Sequence, residues 1–90
     1  MMKQHYYLIT FEGTHVALKA EAIFKEMDVK VKVIPLPSVI AAGCGFAIKV
    51  LPMELVEVEG CLKQSLFEWT SLYKLVRIGN ETRVEGWELF

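Results

Sequence analysis

Residues 5–33 read HYYLITFEGTHVALKAEAIFKEMDVKVKV, and the spacing of their apolar side chains changes twice. Residues 5–11 are rich in aromatic and β-branched side chains, which predicts a buried strand. Apolar residues then recur every three or four positions, which predicts an amphipathic helix with Thr14 as its N-cap and an end near Asp28. Residues 29–33 alternate valine and lysine, which predicts a half-exposed strand with the valines inward. The segment therefore reads as strand, helix, strand.

The second half of the chain follows the same order of elements. Phe46–Val50 is mostly apolar and predicts a third strand. Pro52 suits the first turn of a second helix, whose apolar face is expected to run to Trp69. Residues 72–78 predict a fourth strand. The tail, residues 81–90, is too apolar to stay free and is expected to dock on the domain, where it adds a short strand.

The order strand, helix, strand, strand, helix, strand predicts an α+β protein with the ferredoxin-like split βαβ fold (βαββαβ). Both helices then cover one face of a four-stranded antiparallel sheet, and both crossovers are right-handed. A chain of 90 residues predicts a single ferredoxin-like domain over residues 1–90. Hydrophobic residues make up 53% of the chain. Part of this apolar surface is therefore expected to contact a partner, and a second copy in a homodimer is one candidate.

Charge and composition argue against several classes of protein. The net charge of −1, from 10 basic and 11 acidic residues, argues against nucleic-acid binding, which needs a basic patch. No apolar run is long enough to span a membrane, and the N-terminal residues lack a signal-peptide layout. We therefore expect a cytoplasmic protein with no membrane partner, in which Cys44 and Cys61 stay reduced. No CxxC pair or Cys/His cluster has zinc spacing and no nucleotide-binding glycine motif occurs, so no metal and no cofactor are expected.

A cysteine between two glycines is the strongest candidate for chemistry. The triplet Gly43-Cys44-Gly45 follows a turn-rich stretch and precedes the third strand. The flanking glycines give the thiol little side-chain cover and permit backbone conformations that other residues resist. The sequence therefore predicts that Cys44 is presented on a loop. Cysteine also packs often as a small hydrophobic residue, and the residues alone support function and packing equally for Cys44. For Cys61, which lies amid the second helix, we expect packing.

The predicted topology places Cys44 at a helix N-terminus. The third strand begins beside the end of the first, so Cys44 is expected close to Gly13, Thr14 and His15. A helix N-terminus offers free N–H donors and partial positive charge, and both favour a thiolate. A protonated His15 would add to this effect. We therefore predict a lowered pKa for Cys44 and a polar cradle that includes the backbone N–H of Gly45.

Several segments resemble a known family of small bacterial and archaeal domains. The family is catalogued as a domain of unknown function, DUF3343, and is described as selenium/sulfur carrier protein-like. The resemblance covers about residues 6–50 and is carried by Tyr7-Leu8-Ile9-Thr10-Phe11, Thr14, Ala17-Leu18-Lys19-Ala20-Glu21, Ile34-Pro35-Leu36-Pro37 and Cys44-Gly45-Phe46-Ala47. It implies a cytosolic domain whose Cys44 carries sulfur or selenium.

Three functions follow from these observations. In the first, Cys44 holds sulfur or selenium as a persulfide or selenosulfide, taken from a donor protein and passed to an acceptor protein. In the second, the domain is a small-ligand-binding or regulatory module without covalent chemistry, with an anion pocket at the glycine-rich loop and the helix start. In the third, Cys44 is a redox-sensing thiol that regulates assembly. A carrier or accessory role is favoured over a stand-alone enzyme, because no acid/base set clusters in the sequence.

Overall fold

The structure is a computed structural model that describes residues 3–37, 40, 45–64 and 66–87. Its helices and strands follow one another in the order β1 (Lys3–Thr10), α1 (Thr14–Glu26), β2 (Lys32–Pro35), β3 (Phe46–Val50), a 3-10 turn (Pro52–Glu54), α2 (Leu55–Lys63), β4 (Ser71–Ile78) and β5 (Glu81–Gly86). No helix in this part of the chain is long and apolar enough to cross a membrane.

The strands form one antiparallel sheet in the order β2-β3-β1-β4-β5. The first four strands have the order of the ferredoxin-like fold, in which α1 connects β1 to β2 and α2 connects β3 to β4. The α+β prediction is confirmed, but the described sheet has five strands rather than four. The fifth strand forms because Ile78 pairs with Glu81 across a tight turn. Gly79 has φ 61 there, a left-handed conformation that glycine adopts without steric cost.

Helix α1 begins and ends close to the predicted positions. Thr14 was expected to cap the helix, which is wrong by one residue, because Gly13 is the N-cap and Thr14 is the first helical residue. The C-terminal end is a Schellman motif in which Asp28 has φ 59. The Val29 N–H bonds to the Phe24 carbonyl at 2.9 Å, and the Asp28 N–H bonds to the Lys25 carbonyl at 3.1 Å. This turn directs the chain from the helix into β2.

Helix α2 is shorter than the sequence predicts. It ends at Lys63, whereas its apolar spacing continues to Trp69. Beyond the helix, Phe67 is buried and its ring packs against the rings of Phe11 and Phe24, with centroids 6.0 and 5.2 Å apart. The chain therefore leaves the helix to place this aromatic side chain in the core.

The main core lies between the sheet and both helices, as predicted. It contains buried residues from every layer: Tyr7, Ile9, Phe11, Ile48 and Val50 from the β1 and β3 segments, Ala17, Ala20 and Phe24 from α1, and Val58, Cys61 and Leu62 from α2. Trp87, which follows β5, is also buried there, and its Nε1–H donates to Glu59 Oε2 at 2.8 Å. The docking predicted for the tail is confirmed at Trp87. Leu89 and Phe90 lie outside the described residues.

The opposite face of the sheet, which we call the helix-free face, carries a second apolar cluster. Leu8, Ala47 and Leu75 have no solvent exposure there. They are covered by Ile40, from the connection between β2 and β3, and by partly buried neighbours, namely Tyr6, Ile34, Leu36 and Tyr73. The β2–β3 connection therefore contributes a core residue to the face that the two helices leave open.

Strand β2 starts later than the alternating segment predicts, and it includes a proline. It runs from Lys32 to Pro35 and forms one edge of the described sheet. The Leu36 N–H donates to the Gly45 carbonyl at 2.8 Å. Because hydrogen-bonded and non-hydrogen-bonded pairs alternate along an antiparallel ladder, Val33 and Pro35 direct their backbone polar groups away from β3. The missing N–H of Pro35 therefore removes no bond from the ladder.

Candidate functional site

The described residues of the predicted site lie at the end of the sheet where β1 ends and β3 begins. Thr10 is opposite Ala47 in this antiparallel pair, so Gly45 and the Gly13 N-cap of α1 lie at the same end. Gly45 is exposed and has φ 80. A Cβ atom added to Gly45 would meet nothing within 4 Å, so the backbone conformation, and not lack of space, favours glycine here.

Two predicted site residues, Gly43 and Cys44, lie outside the described residues. Their predicted placement near the start of α1 stays a prediction. The described chain resumes at Gly45, whose carbonyl is tied to β2 by its bond to the Leu36 N–H. The residue that directly follows Cys44 in the sequence is therefore bonded to the residue that follows β2, next to the end of the sheet.

The N-terminus of α1 has no side-chain cap. Gly13 has no side chain to offer, and its carbonyl accepts bonds from the N–H groups of Val16 and Ala17 at 3.2 and 3.3 Å. The first N–H groups of an α-helix have no acceptor within the helix, and no described side chain supplies one to Thr14 or His15. The first turn also contains no acidic residue. This helix end is suited to an anionic group.

His15 is exposed, and its imidazole ring folds back over the N-cap. A Cβ atom placed on Gly13 would lie 2.8 Å from His15 Cε1 and 2.9 Å from Nδ1. Gly13, Thr14, His15 and Gly45 therefore all lie at this end of the sheet. Their role in ligand binding stays a prediction.

An open cleft of about 630 Å³ adjoins the start of α1 and was not expected from the sequence. It is lined by Glu12, Val16, Phe67, Glu68, Trp69 and Thr70. The sequence does not predict this cleft, because its apolar spacing extends α2 to Trp69. In the structure the segment after α2 lies at this end of the sheet, where the Thr70 N–H donates to the Thr10 carbonyl at 2.8 Å. Its described charged residues are both carboxylates, so the cleft does not suit an anion. No three His, Cys, Asp or Glu side chains of the described chain converge as metal ligands.

Cys61, the other thiol of the sequence, packs in the main core. It is 2% exposed, and its Sγ lies 3.5 Å from Met27 Sδ. Burial, with a smaller contribution from the Glu57 carboxylate, raises the pKa of the Cys61 thiol. The packing expected for Cys61 is confirmed.

Cys61 is expected to resist alkylation while the protein is folded. Iodoacetamide reacts with the thiolate, and burial disfavours that form. A Cys44→Ser variant isolates Cys61, and mass spectrometry compares its labelling rate in the folded protein and in guanidinium chloride. Because the pKa is raised by folding, the thiol's contribution to stability is present below the pKa of an unfolded cysteine and is lost as pH rises through the folded value. Equal labelling rates in both states would contradict the burial argument.

Comparison with known proteins identifies the family of the chain. Residues 6–74 match the family model described as "Putative Se/S carrier protein-like". The chain belongs to this family. The match to the Se/S carrier-like family spans α1, α2, β2 and β3, most of β1 and the first half of β4, and it ends before β5. It confirms the resemblance seen in the sequence. No curated protein and no solved structure gives a significant match.

Proposed function

We propose that this protein is a sulfur or selenium carrier that holds the transferred atom on Cys44. The observation that carries the proposal is membership of the Se/S carrier-like family, because the matched residues, 6–74, include Cys44. The bound atom would be the outer atom of a persulfide or selenosulfide. The partners would be a donor protein and an acceptor protein, and the location would be the cytoplasm, where thiols stay reduced.

The contrast between the two cysteines supports the choice of Cys44. A carrier thiol must reach the reacting atom of another protein and must attack as a thiolate. Cys61 fails both requirements, because it is buried among core side chains and its pKa is raised. The sequence contains two cysteines, so Cys44 is the one that remains.

Loading is a thiol exchange that needs no external oxidant. The Cys44 thiolate attacks the outer sulfur of a cysteine persulfide on the donor. The donor's S–S bond breaks, the donor leaves as a thiolate, and a new S–S bond forms on Cys44. Delivery repeats the exchange, with an acceptor thiolate as the attacking group. Selenium as the outer atom gives the selenosulfide by the same steps.

The start of α1 would stabilise the negative charge of the thiolate and of the persulfide. In this proposal the N–H groups of Thr14 and His15, together with that of Gly45, face the sulfur. The uncapped helix end and the absence of acidic residues from its first turn support this role. Gly13 and Gly43 would keep side chains away from the approaching partner.

A cysteine desulfurase is expected to transfer sulfur to the wild-type protein and to fail on a variant that lacks the Cys44 sulfur atom. Incubation with a cysteine desulfurase and free cysteine should add about 32 Da, one sulfur atom, to the wild-type protein. The matched control is Cys61→Ala, which should gain the same mass, whereas Cys44→Ser should gain none. The adduct is read by intact-protein mass spectrometry and located by peptide mapping. A wild-type protein without the adduct, or a Cys44→Ser protein with it, would refute the carrier function.

A further inference from the structure

Three lysines meet at the edge of the sheet formed by β2. Lys30, Lys32 and Lys49 line an open cleft of about 320 Å³, together with Val31 and Leu51. None of the three lysines forms an ion pair with an acidic side chain of the described chain. We call this surface the lysine edge.

The lysine edge contains an unfavourable cross-strand pair. Lys32 on β2 lies directly opposite Lys49 on β3, and like charges in that position destabilise a sheet. The Lys49 ammonium nitrogen is held 4.7 Å from the centroid of the Tyr6 ring by a cation–π contact. Positive charge is thus concentrated on this part of the helix-free face, although the repulsion between the two lysines lowers the stability of the sheet. An unfavourable pair of this kind is typical of a functional surface.

The helix-free face carries no carboxylate on its described strands. Residues directly opposite one another share a face, so Lys32, Lys49 and Leu8 lie on the same side of the sheet. Arg77 adds a further positive charge on this side, opposite Gln4. The β5 carboxylates, Glu81 and Glu85, pair with Ile78 and Lys74 and lie on the helix side. The net charge of −1 therefore conceals a positive face.

Protection against aggregation explains only part of this pattern. Lysines on an edge strand discourage pairing between sheets, and Lys32 fits that role. Lys49 does not, because β3 lies between β2 and β1 and has no free edge. A role in attracting a negatively charged partner accounts for both lysines.

The outer side of β2 also offers backbone groups that bond to no residue of the described chain, although Pro35 presents only a carbonyl there. Val33 directs its N–H and carbonyl away from β3, as the ladder alternation requires. An extended peptide can add to such an edge through main-chain hydrogen bonds, while its side chains meet those of the sheet face. This face is poorly suited to stacking the bases of a nucleic acid, because Lys49 covers the Tyr6 ring and Ile40 covers the central cluster.

We propose that an extended acidic segment of a partner protein adds to β2 as a further strand, with its carboxylates over Lys30, Lys32 and Lys49. This proposal does not rest on the proposed sulfur chemistry of Cys44. The lysine edge would recognise a strand with a carboxylate at every second residue, so that all its carboxylates lie on one side.

The probe is a capped peptide of about six residues, the usual strand length, that alternates glutamate with valine. It should shift the Val33 and Lys32 amide signals in NMR spectra, and added salt should weaken binding. The double variant Lys32→Glu/Lys49→Glu should lose roughly tenfold in affinity. The control Lys19→Glu/Lys25→Glu makes the same charge change on exposed positions of α1 and should keep its affinity.

Three results would overturn the proposal. The first is equal binding of a matched peptide with lysine in place of glutamate. The second is unchanged binding after N-methylation of the peptide backbone, because strand addition needs its N–H groups. The third is tighter binding of single-stranded polyuridylate at the same amides, which would identify a nucleic-acid surface. The peptide carries no cysteine, so these outcomes are independent of sulfur loading on Cys44.

Discussion

Replacing Phe24 by alanine is expected to lower the free energy of unfolding by about 3–5 kcal/mol. Phe24 has no solvent exposure and lies on α1, between the helix and the sheet. Its ring packs edge-to-face on Phe67, with centroids 5.2 Å apart. The substitution removes this contact and leaves a cavity that the surrounding side chains fill only in part. Small domains have a total stability of about 5–15 kcal/mol, so the loss is a large share of the total.

Urea denaturation followed by circular dichroism measures this loss. The control is Leu18→Ala, a substitution on the same helix at a side chain that is 52% exposed. It should change the free energy of unfolding by no more than about 0.5 kcal/mol. A similar loss in both variants would mean that Phe24 does not contribute through core packing.

Replacing Leu75 by alanine is expected to lower the free energy of unfolding by about 2–5 kcal/mol, although neither described helix packs on its side of the sheet. Leu75 is fully buried on the helix-free face, in the cluster that Ile40 covers. An ordinary four-stranded sheet with helices on one face leaves the other face solvated, where a leucine would contribute little. The expected loss therefore tests whether the second cluster is a core.

The control for this prediction is the residue directly opposite on β5. Val84 pairs with Leu75, lies on the same face and is 39% exposed. Val84→Ala should cost less than about 1 kcal/mol, because its side chain already contacts water. Equal denaturation midpoints for the two variants would show that the helix-free face is not closed over its cluster.

The order of the elements could be predicted because each signal is local. The change from aromatic and β-branched residues to helical spacing, and then to alternating valine and lysine, lies within residues 5–33. The end of α2 could not be predicted, because its apolar spacing continues to Trp69. The helix ends at Lys63, and Phe67 packs instead on Phe11 and Phe24, which are distant in sequence and give no local signal.

The candidate sites differ in how far sequence predicts them. Adjacent β1 and β3 follow from the topology, so the shared end of Gly13 and Gly45 was foreseeable. The pairing of Lys32 with Lys49 was not, because it depends on the register between β2 and β3. The alternation of valine and lysine predicts the face of Lys32, but a shift of two residues would keep that face and place Ala47 or Leu51 opposite it.

Ile40 has a consequence for how this protein can vary. Loops between strands commonly accept insertions and deletions, because little depends on their length. Here the link from β2 to β3 places Ile40 on Leu8, Ala47 and Leu75. An insertion or deletion between Pro37 and Ile40 would displace the Ile40 side chain and expose the cluster beneath it to solvent. This loop is therefore expected to tolerate fewer insertions and deletions before Ile40 than its proline- and glycine-rich sequence suggests.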